Sequence, residues 1–182
     1  ESLTYPKIID LVDLNAVMQH VQAFSSFGSR VTGYSGCQKA AEYIYETLKE
    51  LNLTDVEYDY YNVTVPYDYG ASIRVLSPEP TQTIKAYPMW PNSIATSQTP
   101  PEGITGRLVY VHRGDLSDLD GKTIEGSIVL MDYASGDNWR WATELGARAV
   151  VFLETDRITR QESFSKFMVS LPFNFPRLYV TR

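Results

Sequence analysis

The sequence predicts an α+β fold, in which N-terminal helices precede a β-rich region with a strand–short helix–strand centre. Two long segments, 8–24 and 37–51, place apolar residues at helical spacing. Two short apolar runs, 128–131 and 149–153, are rich in β-branched residues, which is typical of buried strands. A short helical pattern at 139–145 separates these runs, so we expect parallel strands joined by a right-handed crossover.

Composition limits the classes of protein to which this chain can belong. The chain has 182 residues, is 43% hydrophobic and carries a net charge of −6, which suits one large domain or two small ones. The acidic balance argues against nonspecific binding to nucleic acid. No apolar run approaches the roughly 18–20 residues that a membrane helix needs. The single cysteine, Cys37, excludes an intramolecular disulfide.

The N-terminal segments carry helix-capping residues. Asp10 or Asp13 can cap the start of the helix predicted over 8–24. Ser35 is well placed to cap the helix predicted over 37–51, after a glycine-rich connection.

In residues 55–66, successive side chains would lie on opposite faces of an extended chain, and this period of two predicts a half-buried strand. Pro66 stops that strand or places it at a sheet edge, and we expect a domain boundary near 67–70. Further strands are predicted at 71–76, 83–87, 108–112 and 177–180, with a short strand at Ile124 and a short helix over 159–167.

The helix at the centre of the β-rich region has clear start and stop signals. Asp137 or Asn138 can cap it, and Gly146 can end it because glycine adopts φ > 0 without strain. Trp139 and Trp141 do not share a helical face, so we expect one to pack in the core and the other to be exposed.

This central unit resembles the middle of a protease-associated domain. The resemblance lies in Gly126-Ser-Ile-Val-Leu, in the helix over 139–145 and in Gly146-Ala-Arg-Ala-Val-Val-Phe. Such domains are β-rich modules of secreted peptidases and sorting receptors. The pattern alone also fits any α/β unit with a tight turn from helix to strand.

A second resemblance precedes it along the chain. Gly28-Ser-Arg-Val-Thr-Gly, Ala40-Ala-Glu-Tyr-Ile and Leu48-Lys-Glu-Leu-Asn-Leu resemble the N-terminal part of zinc-dependent exopeptidases of the aminopeptidase Y and glutamate carboxypeptidase type. In that family a protease-associated domain is inserted before the metal ligands. The resemblance implies that residues 1–66 begin an exopeptidase domain and that 67–182 form a protease-associated domain, truncated within its last elements.

The metal site of the resembled family finds no match among these residues. Those enzymes bind two metal ions and take their first ligands from a His-x-Asp motif. His20 is followed by Val-Gln, and His112 by Arg-Gly. We therefore assign no catalytic and no metal-ligating residue, expect no cofactor in this chain, and expect zinc in a downstream catalytic domain.

Three aspartates, Asp115, Asp118 and Asp120, resemble a calcium loop at first sight. They lack the glycine and the terminal bidentate glutamate of an EF-hand loop, so we expect a solvated turn. With two histidines in the chain, a Ser-His-Asp arrangement is not expected.

The loop after the central strand is the candidate for contact with a substrate or a partner. In the resembled family this loop faces the catalytic cleft, and some members place an arginine there to hold a substrate carboxylate. Here the arginine lies a turn later on the helix, so an aminopeptidase-like parent, which holds a free N-terminus, fits better. The candidate residues are Ser135, Gly136, Asp137, Asn138 and Arg140.

The sequence therefore predicts the noncatalytic N-terminal and protease-associated region of a zinc-dependent aminopeptidase-like exopeptidase, whose partners are a peptide substrate or a catalytic domain. The alternative is a stand-alone protein-interaction module without peptidase activity. Exposed apolar helices predict a homo-oligomer. The sequons at Asn52 and Asn62 indicate an extracytoplasmic or secreted protein.

Overall fold

A computed structural model describes residues 4–182 of the chain. The chain divides into two compact units, Glu1–Tyr67 and Asp68–Arg182. The described residues form helices and one mixed six-stranded sheet, which confirms the α+β fold class. The assignment of the two units to an exopeptidase domain and a protease-associated domain stays a prediction.

The first unit begins with two helices where the sequence predicts one. Helix α1 spans Tyr5–Asp10 and helix α2 spans Leu14–Ser26. The chain breaks between them because Asp13 is extended and its side chain accepts a hydrogen bond from the Asn15 N–H at 2.8 Å. Of the two aspartates considered as caps, Asp13 is therefore the one that caps a helix, and that helix is α2.

Helix α3, Ser35–Glu50, confirms the second predicted helix with a shifted start. Tyr34 occupies the N-cap position and its side chain makes no cap hydrogen bond, so the prediction that Ser35 is the cap was wrong by one residue.

A glycine fixes the entry to α3. A Cβ added to Gly36 would lie 2.3 Å from the Ser29 carbonyl oxygen and 2.5 Å from that of Phe27. Both distances are far below van der Waals contact, so only glycine fits there. Tyr43 then joins α2 to α3, because its hydroxyl lies 2.7 Å from His20 Nδ1 and its ring meets the ring of Phe24 edge-on.

The predicted strand over 55–66 was wrong. These residues, all within the described part of the chain, form no strand and pair with no other described strand. Tyr58 instead stacks on Tyr45 of α3, with ring centroids 4.6 Å apart. Alternation predicts which side chains share a face, but a strand also needs a backbone partner.

The second unit is built on a sheet with the strand order β1-β2-β6-β5-β4-β3. Strands β3 to β6 are mutually parallel, whereas β2 runs antiparallel to β6 and β1 runs antiparallel to β2. The elements of this unit are β1 (Ala71–Val75), β2 (Gln82–Pro88), β3 (Leu108–Tyr110), α4 (Leu116–Leu119), β4 (Ile128–Asp132), α5 (Trp139–Glu144), β5 (Ala149–Leu153), α6 (Arg160–Ser165) and β6 (Arg177–Val180).

Most strands match their predicted positions, and the parallel pairing of β4 with β5 is confirmed. Ile124 is an exception, since it lies in an irregular segment and contributes a buried side chain rather than a strand. Strand β3 ends two residues early because His112 adopts a left-handed φ of 47°, and α6 is shorter than the predicted 159–167. Gly146, at φ 83°, ends α5 as expected.

The core of the second unit lies around β4, β5 and the helix between them. Val129, Met131, Val150 and Phe152 from the two strands are fully buried, as is Trp139 from α5. The central strand–helix–strand unit therefore fixes where the following loops emerge.

Candidate functional site

The 134–138 loop follows β4 and leads into α5, at the carboxyl end of four parallel strands. The candidate loop therefore lies at the edge of the sheet where the parallel strands end.

The inner side of this loop is buried and held by α6. Ser135 is 1% exposed, and its hydroxyl accepts a hydrogen bond from Lys166 Nζ at 3.2 Å. The Gly136 N–H donates to Glu162 Oε2 at 2.9 Å, and the Gly136 carbonyl accepts from Lys166 Nζ. Ser135 and Gly136 are therefore anchoring residues, facing the protein rather than a partner.

The outer side of the loop carries an ion pair. Arg140 Nη1 lies 3.0 Å from Asp137 Oδ2, and the two side chains are 43% and 56% exposed, respectively. Such exposed pairs contribute about 0–1 kcal/mol, because water screens them. The low cost of separating them leaves both charges available to a binding partner.

Asn138 connects two loops instead of capping α5. It occupies the N-cap position of α5, but its side chain makes no cap hydrogen bond. Its amide instead donates to the Arg113 carbonyl at 3.0 Å and to Asp115 Oδ1 at 2.9 Å. Asn138 thereby ties the candidate loop to the loop that follows β3.

The aspartate-rich segment has a structural role. Asp115 caps α4, and the Asp118 side chain accepts from the Asp115 N–H, which completes a capping box. Residues 4–182 contain no group of three or more His, Cys, Asp or Glu side chains placed to hold a metal ion.

The two tryptophans of α5 differ as the sequence predicts. Trp139 is fully buried, and its indole N–H donates to the Ser165 carbonyl at 2.9 Å. Trp141 is 42% exposed. Trp141 directly follows Arg140 on α5, so an exposed aromatic side chain is next in sequence to the Asp137–Arg140 pair.

Two buried cations beneath the loop escaped sequence reasoning. Lys166 and Arg177 are both fully buried. Burial lowers the pKa of Lys166, and the hydrogen bond and charge of Glu162 oppose that shift. Burial likewise lowers the pKa of Arg177 to about 10. The one available signal was the i, i+4 spacing of Glu162 and Lys166, which usually indicates a surface pair.

Arg177 binds two main-chain carbonyls, one at the end of α6 and one after β2. Its guanidinium donates to the Lys166 carbonyl and, at 2.9 Å, to the Trp90 carbonyl. It also lies over the Trp139 ring, 5.0 Å from the ring centroid. Strand β6 thereby supports α6, and α6 supports the candidate loop.

Comparison with known proteins gives a structural likeness. No family model matches the chain, and no curated protein matches it. An aminopeptidase from Aneurinibacillus sp. strain AM-1 is similar in structure, with 20% sequence identity and a TM-score of 0.41. The match covers 93% of this chain and 38% of the aminopeptidase chain. None of the helices described between residues 4 and 182 is long and apolar enough to cross a lipid bilayer.

Proposed function

We propose that this chain is the noncatalytic N-terminal and protease-associated region of a zinc-dependent aminopeptidase-like exopeptidase. In this proposal the 134–138 loop contacts the substrate or the catalytic domain, and zinc belongs to a catalytic domain elsewhere in the protein. The observation that carries the proposal is a rigidly anchored loop, at the carboxyl end of parallel strands, whose exposed side carries the Asp137–Arg140 pair.

Asp137 supplies the chemistry that an aminopeptidase needs for recognition. A substrate of such an enzyme presents a free α-ammonium group, and an exposed carboxylate can pair with it. Arg140 already pairs with Asp137 at 3.0 Å, so this carboxylate is oriented toward a cationic group. An incoming ammonium would replace the guanidinium at little cost, since both partners are partly in water.

A titration with trialanine tests this role, and N-acetyl-trialanine is the control because acetylation converts the ammonium into a neutral amide. Amide NMR shifts for 136–138 should respond to trialanine with a Kd in about the millimolar range, and Asp137→Asn should weaken the response. Equal responses to both peptides, or none at about 10 mM, would contradict the proposal.

Metal content tests the noncatalytic part of the proposal. Zinc per chain, measured after purification without chelator, should be near zero, and the chain should not hydrolyse leucine p-nitroanilide. Stoichiometric zinc with hydrolysis would overturn it, and His20, His112 and the aspartates of 115–120 would then be tested as ligands.

Localisation outside the cytoplasm is part of the same proposal. Asn52 and Asn62 are both exposed, so an oligosaccharyltransferase could reach either sequon. Secretion from a eukaryotic host should add glycans that Asn52→Gln and Asn62→Gln remove one at a time. A secreted protein of unmodified mass would remove this support.

The second candidate function is a stand-alone protein-interaction module. It is favoured by apolar side chains of the first unit that lie exposed on α1 and α2, including Ile9 at 69% and Leu14 at 73%. Large exposed apolar patches mark protein contacts. A module of this kind would leave the trialanine titration without effect.

A further inference from the structure

Lys166 makes an unusual set of contacts for a lysine. Its side chain is 0% exposed. Its ammonium donates to the Gly136 carbonyl, to Ser135 Oγ at 3.2 Å and to Glu162 Oε2 at 3.0 Å, with a longer contact to Ser165 Oγ at 3.4 Å. Burial of an ammonium costs free energy unless its donors are all used, so the protein must hold these acceptors in place.

The same carboxylate oxygen binds both the lysine and the loop. Glu162 Oε2 accepts from Lys166 Nζ and also from the Gly136 N–H at 2.9 Å. The N–H and the carbonyl of Gly136 are thus both hydrogen-bonded, the first to Glu162 in α6 and the second to Lys166 at the end of α6. Removal of the ammonium would leave the Gly136 carbonyl without this donor and the carboxylate without its counter-charge.

Aromatic rings enclose the ammonium from the sheet side. Lys166 Nζ lies 5.2 Å from the ring centroid of Tyr133 and 5.2 Å from that of Phe152. The faces of these rings favour a cation over a neutral group. The site therefore favours a side chain that is positively charged as well as long. A methionine at position 166 would have similar length but no charge.

We propose that Lys166 is a positioning residue, whose buried ammonium sets the shape of the 134–138 loop and so the outward presentation of Asp137 and Arg140. The proposal rests on the proposed function for what the loop binds, but not for how the loop is held. Arg177 completes the arrangement, because it fixes the Lys166 carbonyl to β6.

Amide hydrogen exchange of Gly136 tests the proposal directly. In Lys166→Met, the Gly136 N–H should exchange about tenfold faster or more, since a charge-assisted hydrogen-bond network is lost. The amides of Val150 and Val151 in β5 should keep their rates. Lys85→Met, which removes an exposed lysine of the same unit, should behave as wild type.

Lys166→Arg is the variant that separates charge from shape. It restores the cation with a different geometry, so the Gly136 exchange rate should lie between those of wild type and Lys166→Met. An unchanged Gly136 rate in Lys166→Met would overturn the proposal. A uniform acceleration of Gly136 and β5 together would also overturn it, because it would show loss of global stability only.

A second variant keeps the test decisive if Lys166→Met does not fold. Glu162→Gln preserves the side-chain shape and should also accelerate exchange at Gly136 while β5 keeps its rate, and an unchanged Gly136 rate would refute the proposal. Trialanine separates the two proposals. If Lys166→Met accelerates exchange at Gly136 but the wild-type protein binds no trialanine, Lys166 remains the positioning residue and the proposed function is refuted. If wild type and Lys166→Met bind trialanine equally well, the role of Lys166 in presenting Asp137 and Arg140 is refuted.

Discussion

The indole N–H of Trp139 donates to the carbonyl oxygen of Ser165 over 2.9 Å, and this bond joins α5 to the end of α6. Trp139 also packs in the core of the second unit, where it is fully buried. Trp139 therefore buries a large aromatic ring and also provides a donor for the Ser165 carbonyl, in the segment that anchors the candidate loop.

Trp139→Ala should lower the free energy of unfolding by about 3–5 kcal/mol, because it opens a large cavity and removes the donor to the partly buried Ser165 carbonyl. Trp141→Ala, two residues away and 42% exposed, should change it by only about 0.5 kcal/mol. Urea denaturation measures both. Similar losses in the two variants would mean that the burial of Trp139 is not what stabilises the unit.

Gly36→Ala should destabilise the first unit by about 1–3 kcal/mol, since a Cβ would press against two backbone carbonyl oxygens that cannot move aside. Ser35→Ala is the control, as it changes the neighbouring exposed residue without adding an atom near those oxygens. Circular dichroism during denaturation reports the loss of helix. A Gly36→Ala protein as stable as the control would be inconsistent with the close approach.

Tyr179 should make stability fall at alkaline pH. Burial and then the hydrogen bond to Glu154 raise the pKa of Tyr179 from 10.0 to about 12. The folded protein thus keeps this proton where the unfolded chain has lost it, so the stabilisation present below pH 10 is lost as the pH rises toward 12.

Tyr179→Phe removes that titration and should flatten this part of the pH dependence. The difference in unfolding free energy between wild type and variant, followed from about pH 9 to pH 12, isolates Tyr179 from the other groups that titrate there. A difference that stays constant over this range would show that the pKa is not raised.

Self-association should depend on α1 and α2. Ile9 and Leu14 are 69% and 73% exposed, and an apolar side chain buried between molecules contributes about 1.5–3 kcal/mol. The double variant Ile9→Glu/Leu14→Glu should raise the dissociation constant tenfold or more, as about 1.4 kcal/mol is a factor of ten. Leu116→Glu, which changes an exposed leucine of the second unit, is the control. Sedimentation velocity measures the association, and a wild-type chain that stays monomeric would contradict it.

Strands that are marked by their own apolar side chains could be predicted from the sequence. The strand at 149–153 has the predicted bounds, because a continuous apolar run marks a buried strand. The strand at 177–180 also has the predicted bounds, although it begins with an arginine and is only partly buried. The strand predicted over 55–66 was wrong, since its backbone partner could not be inferred from alternation. The position of the candidate loop followed from its neighbours, and both members of its exposed pair are among the candidate residues that the sequence indicates.

The support beneath that loop could not be predicted in the same way. Lys166 is charged, and charged side chains are expected at the surface. Its burial depends on acceptors about thirty residues away, on a loop whose path is set by β4 and α5. Such a network exists only in three dimensions, and no local periodicity indicates it.

The place of β6 in the sheet has a consequence for biosynthesis. Among the strands described in residues 4–182 it comes after the other five in sequence, yet it lies between β2 and β5 and provides their only link between the antiparallel pair and the parallel strands. A ribosome delivers residues 177–180 after every other strand has emerged. The pair β1-β2 and the strands β3-β4-β5 therefore cannot be joined until β6 has emerged, so we expect the six-stranded sheet to be completed later than either of its two parts.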